Sequence, residues 1–152
     1  MFVFTGRKIS IVVLGTEDYL KKSLISVITG KDVSVYSSTL NKTETYENDT
    51  YEVIYTPNLY KASEEIKKIF SSKHPDMSVL VLKDEISTQE VWQQMDNLHK
   101  KIGKHTDEFR AMLPLNHKRE EFYPDNCCTM EELFSRLREL AEQRHLMPTD
   151  KR

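Results

Sequence analysis

The stretch Gly15-Thr16-Glu17-Asp18-Tyr19-Leu20-Lys21-Lys22-Ser23 has the clearest chemical potential in the chain. It follows a continuous apolar run, Ile9–Leu14, which reads as a strand buried on both faces. A glycine closing such a strand, with a lysine six residues on, matches the two ends of the phosphate-cradling pattern G-x-x-x-x-G-K-[ST]. There, bare backbone N–H groups curl round an anion. Gly15 and Lys21 fit without a gap, but Leu20 stands at the second glycine and Lys22 at the hydroxyl residue. Two readings of the lysine pair are open. They hold a phosphate-bearing ligand at a helix N-terminus, where the dipole helps, or they are solvated residues of a first helical turn. The neighbouring acids Glu17 and Asp18 favour the second.

Other reactive side chains give weaker patterns. The only cysteines, Cys127 and Cys128, are adjacent; they cannot staple distant segments, and with His117 they lack the ligand spacing of a zinc site. His74, His99, His105 and His145 are scattered in polar context and read as solvent-facing. The mixed charges from Asn116 to Glu121 read as a solvated loop, and Lys100, Lys101 and Lys104 close a helix whose dipole suits cations. No catalytic residue and no metal ligand emerges from these patterns.

Composition narrows the classes further. Twenty-two Lys and Arg against 24 Asp and Glu leave a formal net charge of −2. That balance excludes general binding to a nucleic-acid backbone, which needs a marked basic excess. No apolar run approaches the roughly 18 residues that span a bilayer, and Ile9–Leu14 is too short for a signal peptide. The sequons at Asn41 and Asn48 then carry no weight. These features predict a reduced, cytoplasmic single domain over 1–152, with no transmembrane segment.

Apolar runs alternating with helical periodicity must position the loop. A helix is expected over Leu20–Thr29 with Gly30 at its end, a weak strand at Val33–Tyr36, and an exposed loop over Ser37–Asn48. A strand at Tyr51–Tyr55 stops before Pro57, and a helix after Ser63 carries Ile66, Ile69 and Phe70. Met77–Leu82 supplies a second strongly apolar strand. Ser87 and Glu90 form a capping box for a helix ending at Gly103, with a stripe of Val91, Met95, Leu98 and Ile102. Phe109–Leu115 reads as a strand and Glu121–Tyr123 as a short one. Thr129 and Glu132 cap a last helix, Thr129–His145, with Met130, Leu133, Phe134, Leu137, Leu140 and Ala141 on one stripe and Pro148 beyond its end. The stripe reads as core; left uncovered, it would dock a partner helix. Strands and helices in this alternation predict an α/β fold of three layers, a doubly wound, mostly parallel sheet with helices on both faces.

The spacing from Gly15 through Ile28-Thr29-Gly30-Lys31 resembles the GIMAP family, the immunity-associated GTPases with a septin- and Toc-like G domain. Further matches follow in order. Val53-Ile54-Tyr55-Thr56-Pro57-Asn58-Leu59-Tyr60 resembles that family's strand and D-T-P-G-L-F motif, and His74-Pro75-Asp76 with Val79-Leu80-Val81-Leu82 resembles its next strand. Asn116-His117-Lys118-Arg119 lies at its base-recognition motif, T-x-K-D. The resemblance covers nearly the whole chain in shortened form and implies a P-loop GTPase-like domain with GTP or GDP as ligand. On it, Gly15, Lys21, Lys22, Asn41, Thr56, Asn58, Asn116 and Lys118 occupy vestigial nucleotide-binding positions, Asn41 at that of the switch threonine.

The departures from the family pattern point away from catalysis. Leu20 puts a branched side chain in the phosphate loop, and Glu17 and Asp18 put negative charge beside it. Lys22 replaces the hydroxyl that holds Mg²⁺, which a cation cannot do. Tyr55 replaces the aspartate that steadies the metal, and Asn58 the glycine that senses the γ-phosphate. Arg119, with five donors and no acceptor, replaces the aspartate that reads guanine. Phosphoryl transfer rests on metal and charge neutralisation, so the expectation is a pseudo-GTPase without Mg²⁺ or any required cofactor. Its partners would be protein, another GTPase of that family or a second copy. The alternative is a GTP- or phosphate-binding protein that works without the metal.

Overall fold

The computed structural model describes residues 7–33, 43–56, 63–83, 86–102, 106–114 and 124–149. Six strands form one sheet: β1 (Ile9–Leu14), β2 (Glu44–Glu47), β3 (Tyr51–Tyr55), β4 (Met77–Val81), β5 (Phe109–Met112) and β6 (Cys127–Cys128). Their spatial order is β2-β3-β1-β4-β5-β6, with β2 antiparallel to β3 and every other pair parallel. Four helices complete the fold: α1 (Asp18–Thr29), α2 (Ser63–Lys73), α3 (Thr88–Ile102) and α4 (Met130–Thr149).

Alternation along β1 sends its side chains into two separate cores. Ile9, Ile11 and Val13 pack with Leu24, Ile25 and Ile28 of α1 and with Leu133 and Leu137 of α4. Val12 and Leu14 pack with Phe70 of α2 and with Val91, Met95 and Leu98 of α3. Helices therefore cover both faces, and the doubly wound α/β architecture is the one expected. The α4 stripe is core: Leu133 and Leu137 are buried, with Met130, Phe134 and Leu140 packed beside them.

Both capping boxes form. Ser87 Oγ accepts from the Glu90 N–H at 3.1 Å. Thr129 Oγ1 accepts from the Glu132 N–H at 3.2 Å, and Glu132 Oε1 from the Thr129 N–H at 2.9 Å. Gly30 ends α1 in the left-handed region, φ 72°, its N–H donating to Ser26 O.

Beyond shifts at element ends (α1 starts at Asp18, not Leu20; β4 stops at Val81, not Leu82; β5 stops at Met112, not Leu115), four differences from expectation stand out. The second strand is Glu44–Glu47, inside the stretch read as an exposed loop, because a charged edge strand with alternating exposure looks like solvated coil. Val33 lies outside any strand; its N–H donates to Ser26 Oγ, while 34–36 and 37–42 are outside the described residues. Cys127 and Cys128 form the two-residue edge strand β6, pairing with Ala111 and Met112, and the strand expected at 121–123 falls outside the described residues. Finally, α4 runs to Thr149, so Pro148 sits in its last turn instead of beyond it; a proline there forgoes its own helical N–H bond, and only one more helical residue follows.

Asn48 holds the β2–β3 hairpin to α1. Its Oδ1 accepts from the N–H groups of Thr50 and Tyr51, and its Nδ2 donates to Ile28 O and Thr29 O at the end of α1. No helix among the described residues is long and apolar enough to cross a membrane.

Candidate functional site

In a sheet of this order the chain passes from β1 to β2 and β3 on one side and then crosses to β4 on the other, and ligands bind at the carboxyl ends of the strands beside such a reversal. Gly15 sits there. Its φ is +150°, and a Cβ would lie 2.8 Å from the carbonyl oxygen of Val81 at the end of β4. The glycine is thus required by the close approach of two backbones. Helix α1 then begins at Asp18, only three positions later, with Glu17 at the N-cap making no side-chain cap bond. A phosphate cradle needs several non-helical residues between its glycine and its helix, and here the helix has consumed them.

The lysine pair is not solvated. Lys21 and Lys22 are 0% and 1% exposed, in contrast to the reading that the adjacent acids favoured. The Lys21 side chain turns towards the end of β3, where its Nζ donates to Thr56 O at 2.7 Å and lies 3.3 Å from Asp18 Oδ1. The same ammonium stands 4.9 Å from the centroid of the Tyr55 ring, and that of Lys22 5.1 Å. Electron density on the aromatic face offsets part of the cost of burying two cations. Burial pulls the Lys21 pKa below its ordinary value, with Asp18 opposing the fall.

Tyr55 and Thr56 complete the cluster. Tyr55 is fully buried, and its hydroxyl donates to Asp18 Oδ1 at 2.6 Å. Burial, then the bond to Asp18, pushes the phenol well above its usual pKa. Thr56 Oγ1 donates to Val13 O at 2.8 Å, tying the end of β3 to β1 and aiming its own carbonyl at Lys21.

Of the eight positions expected at a nucleotide site, Gly15, Lys21, Lys22 and Thr56 come together at one end of the sheet. Asn41, Asn58, Asn116 and Lys118 lie outside the described residues. Sequence reasoning missed the role of Asp18, which supplies the carboxylate facing both Lys21 and Tyr55. Its spacing of three residues from Lys21 on a helix was the available signal. Cys127 and Cys128 are both buried in β6, at the far edge of the sheet from β2.

Comparison with known proteins agrees with the architecture. The structure is similar to the crystal structure of a probable GTP-binding protein, engB, with a TM-score of 0.66 over 88% of this chain and 99% of that one, at 16% sequence identity. No family model and no curated protein matches the sequence. The fold is that of a P-loop GTPase domain, with strand β2 running against the other five.

Proposed function

We propose that this chain is a pseudo-GTPase, a G domain of GIMAP type kept as a protein-binding or regulatory module without GTP hydrolysis. The observation that carries the reading is the engagement of Lys21. The ammonium that would reach a nucleotide's phosphates is already bonded to Thr56 O and faces the Asp18 carboxylate. An incoming phosphate would have to displace one anion from a buried cation while sitting beside it, and like charges at that distance repel strongly.

Mg·GTP does not fit the residues present. Lys22, a buried cation, occupies the position of the metal's hydroxyl ligand. Tyr55 directs its hydroxyl hydrogen at Asp18, so the carboxylate expected behind the metal is replaced by a donor. The module's partner is a protein, a GTPase of the same type or a second copy, in a cytoplasmic setting and in immune signalling; the resemblance to GIMAP proteins supplies that context.

A second reading, a nucleotide- or phosphate-binding protein that needs no metal, is favoured by the two buried lysines beside Gly15. Thermal melting with GTP, GDP or ATP, in Mg²⁺ and in EDTA, separates the two. A ligand at one hundred times its dissociation constant would stabilise the native state by about 2.7 kcal/mol. No shift with any nucleotide is expected. A shift in EDTA would favour the second reading, and a shift that requires Mg²⁺ would overturn both.

A further inference from the structure

The opposite end of the sheet carries a cavity. About 290 Å³ in volume, it is lined by Arg7, Lys8, Ser10, Glu52, Lys73, His74 and Asp76. Register explains the assembly. Ser10 pairs with Glu52 across β1 and β3, and Asp76 immediately precedes β4, whose Met77 pairs with Ile11. Three neighbouring strands therefore present polar side chains at their amino ends, and Lys73 and His74 arrive from the end of α2.

Within this cavity the carboxylates are already met. Asp76 accepts from Arg144 Nη2 at 2.7 Å and Nη1 at 3.3 Å, and from the Ser10 N–H at 2.8 Å. Glu52 is paired with Lys73 at 3.0 Å, and Lys8 with Glu47 at 3.2 Å. Arg7 is held only loosely, at 3.6 Å from Asp76, with its side chain 74% exposed. Ser10 Oγ is buried and has no hydrogen-bond partner among the described residues. A buried hydroxyl without a partner is uncommon and costs stability unless something meets it. His74 Nε2 lies 2.8 Å from Asp107 Oδ1, Arg7 is the least engaged cation of the lining, and Lys73 sits where it offsets the negative end of the α2 dipole.

We propose that this cavity binds a small phosphate monoester. Its volume lies at the lower end of ligand pockets, which suits a compact anion. The Arg7 guanidinium presents a donor fork to two phosphate oxygens. Lys8 and Lys73, unlike the buried Lys21, meet their carboxylates in partly exposed pairs that water screens, so both can turn to the phosphate as point charges, and Ser10 Oγ donates to the third oxygen. The site shares no residue with the Lys21 cluster, so it stands whatever becomes of the pseudo-GTPase reading.

Isotope-labelled full chain titrated with inorganic phosphate tests the proposal, with sodium chloride at matched ionic strength as the reference. Saturable amide shifts at Ser10, Glu52 and His74 are expected. Arg7→Gln and Ser10→Ala should each weaken the apparent affinity at least fivefold. Neither change threatens folding, since one side chain is exposed and the other hydroxyl bonds to nothing. Shifts that never saturate or are matched by chloride would overturn it, as would affinities unchanged in both variants. Saturable shifts confined to 15–22 would overturn it too, and would count separately against the reading of the Lys21 cluster as self-occupied.

Discussion

The hydroxyl of Tyr55 donates to Asp18 Oδ1 at 2.6 Å, across the gap between the end of β3 and the first turn of α1. The bond joins two elements whose separation would otherwise set the mouth of the site. It also fixes the carboxylate where Lys21 meets it. Tyr55→Phe keeps the ring under both lysines and removes only this bond. It should cost about 1.5–3 kcal/mol, the range for a hydrogen bond to a charged group, read from urea unfolding. An unchanged midpoint would show that Asp18 is held by other contacts.

Asp18 and Lys21 should respond unequally to substitution. Asp18→Ala leaves Lys21 as a buried cation without this carboxylate; water reaching the one-third exposed Asp18 position moderates the loss to about 2 kcal/mol. Lys21→Met replaces the ammonium with an apolar chain of similar shape and should lie within about 1 kcal/mol of the parent. A larger loss for Lys21→Met than for Asp18→Ala would refute this ordering.

Gly15→Ala should be among the most damaging single changes. The new Cβ would meet the Val81 carbonyl oxygen at 2.8 Å on a backbone with φ +150°. Strain and overpacking together predict a loss of about 2–4 kcal/mol, seen as a lower melting temperature. Thr129→Ala, removing the α4 cap, should cost about 1 kcal/mol by the same measurement.

Acid sensitivity should trace partly to Glu108. Burial alone would raise its pKa, but bonds from Arg136 and Arg110 outweigh that and hold it below the ordinary value of 4.5. The folded chain therefore binds this proton less readily than the unfolded one. The stability Glu108 contributes is complete above the ordinary carboxylate pKa and is lost as pH falls through the lower folded value. Unfolding measured across that acid range should be shallower in pH dependence for Glu108→Gln. Equal slopes for the two proteins would rule Glu108 out as a source.

The sheet was legible because β1 and β4 are short apolar runs and the helices carry period-3.6 stripes with capping boxes. Glu44–Glu47 was not, since an edge strand needs few apolar side chains and its charges mimic a loop. Two-residue β6 is shorter than any periodicity can register. At the site, the types and spacing of Gly15, Lys21 and Lys22 drew attention to the right place. The burial of the lysines was hidden because it depends on Tyr55 and Thr56, more than thirty positions away, closing over them. Neighbouring acids suggested solvent screening when one of them, Asp18, is the counter-ion of a buried lysine.

Strand β1 carries Ser10 near one end and Gly15 just past the other, and its four residues between are wholly buried. At the usual strand rise those two positions stand about 16 Å apart, beyond the roughly 7–10 Å within which substitutions couple through shared partners. Paired substitutions, one from each end, should then change stability by the sum of their separate effects, which makes the molecule a beam with two independently editable tips.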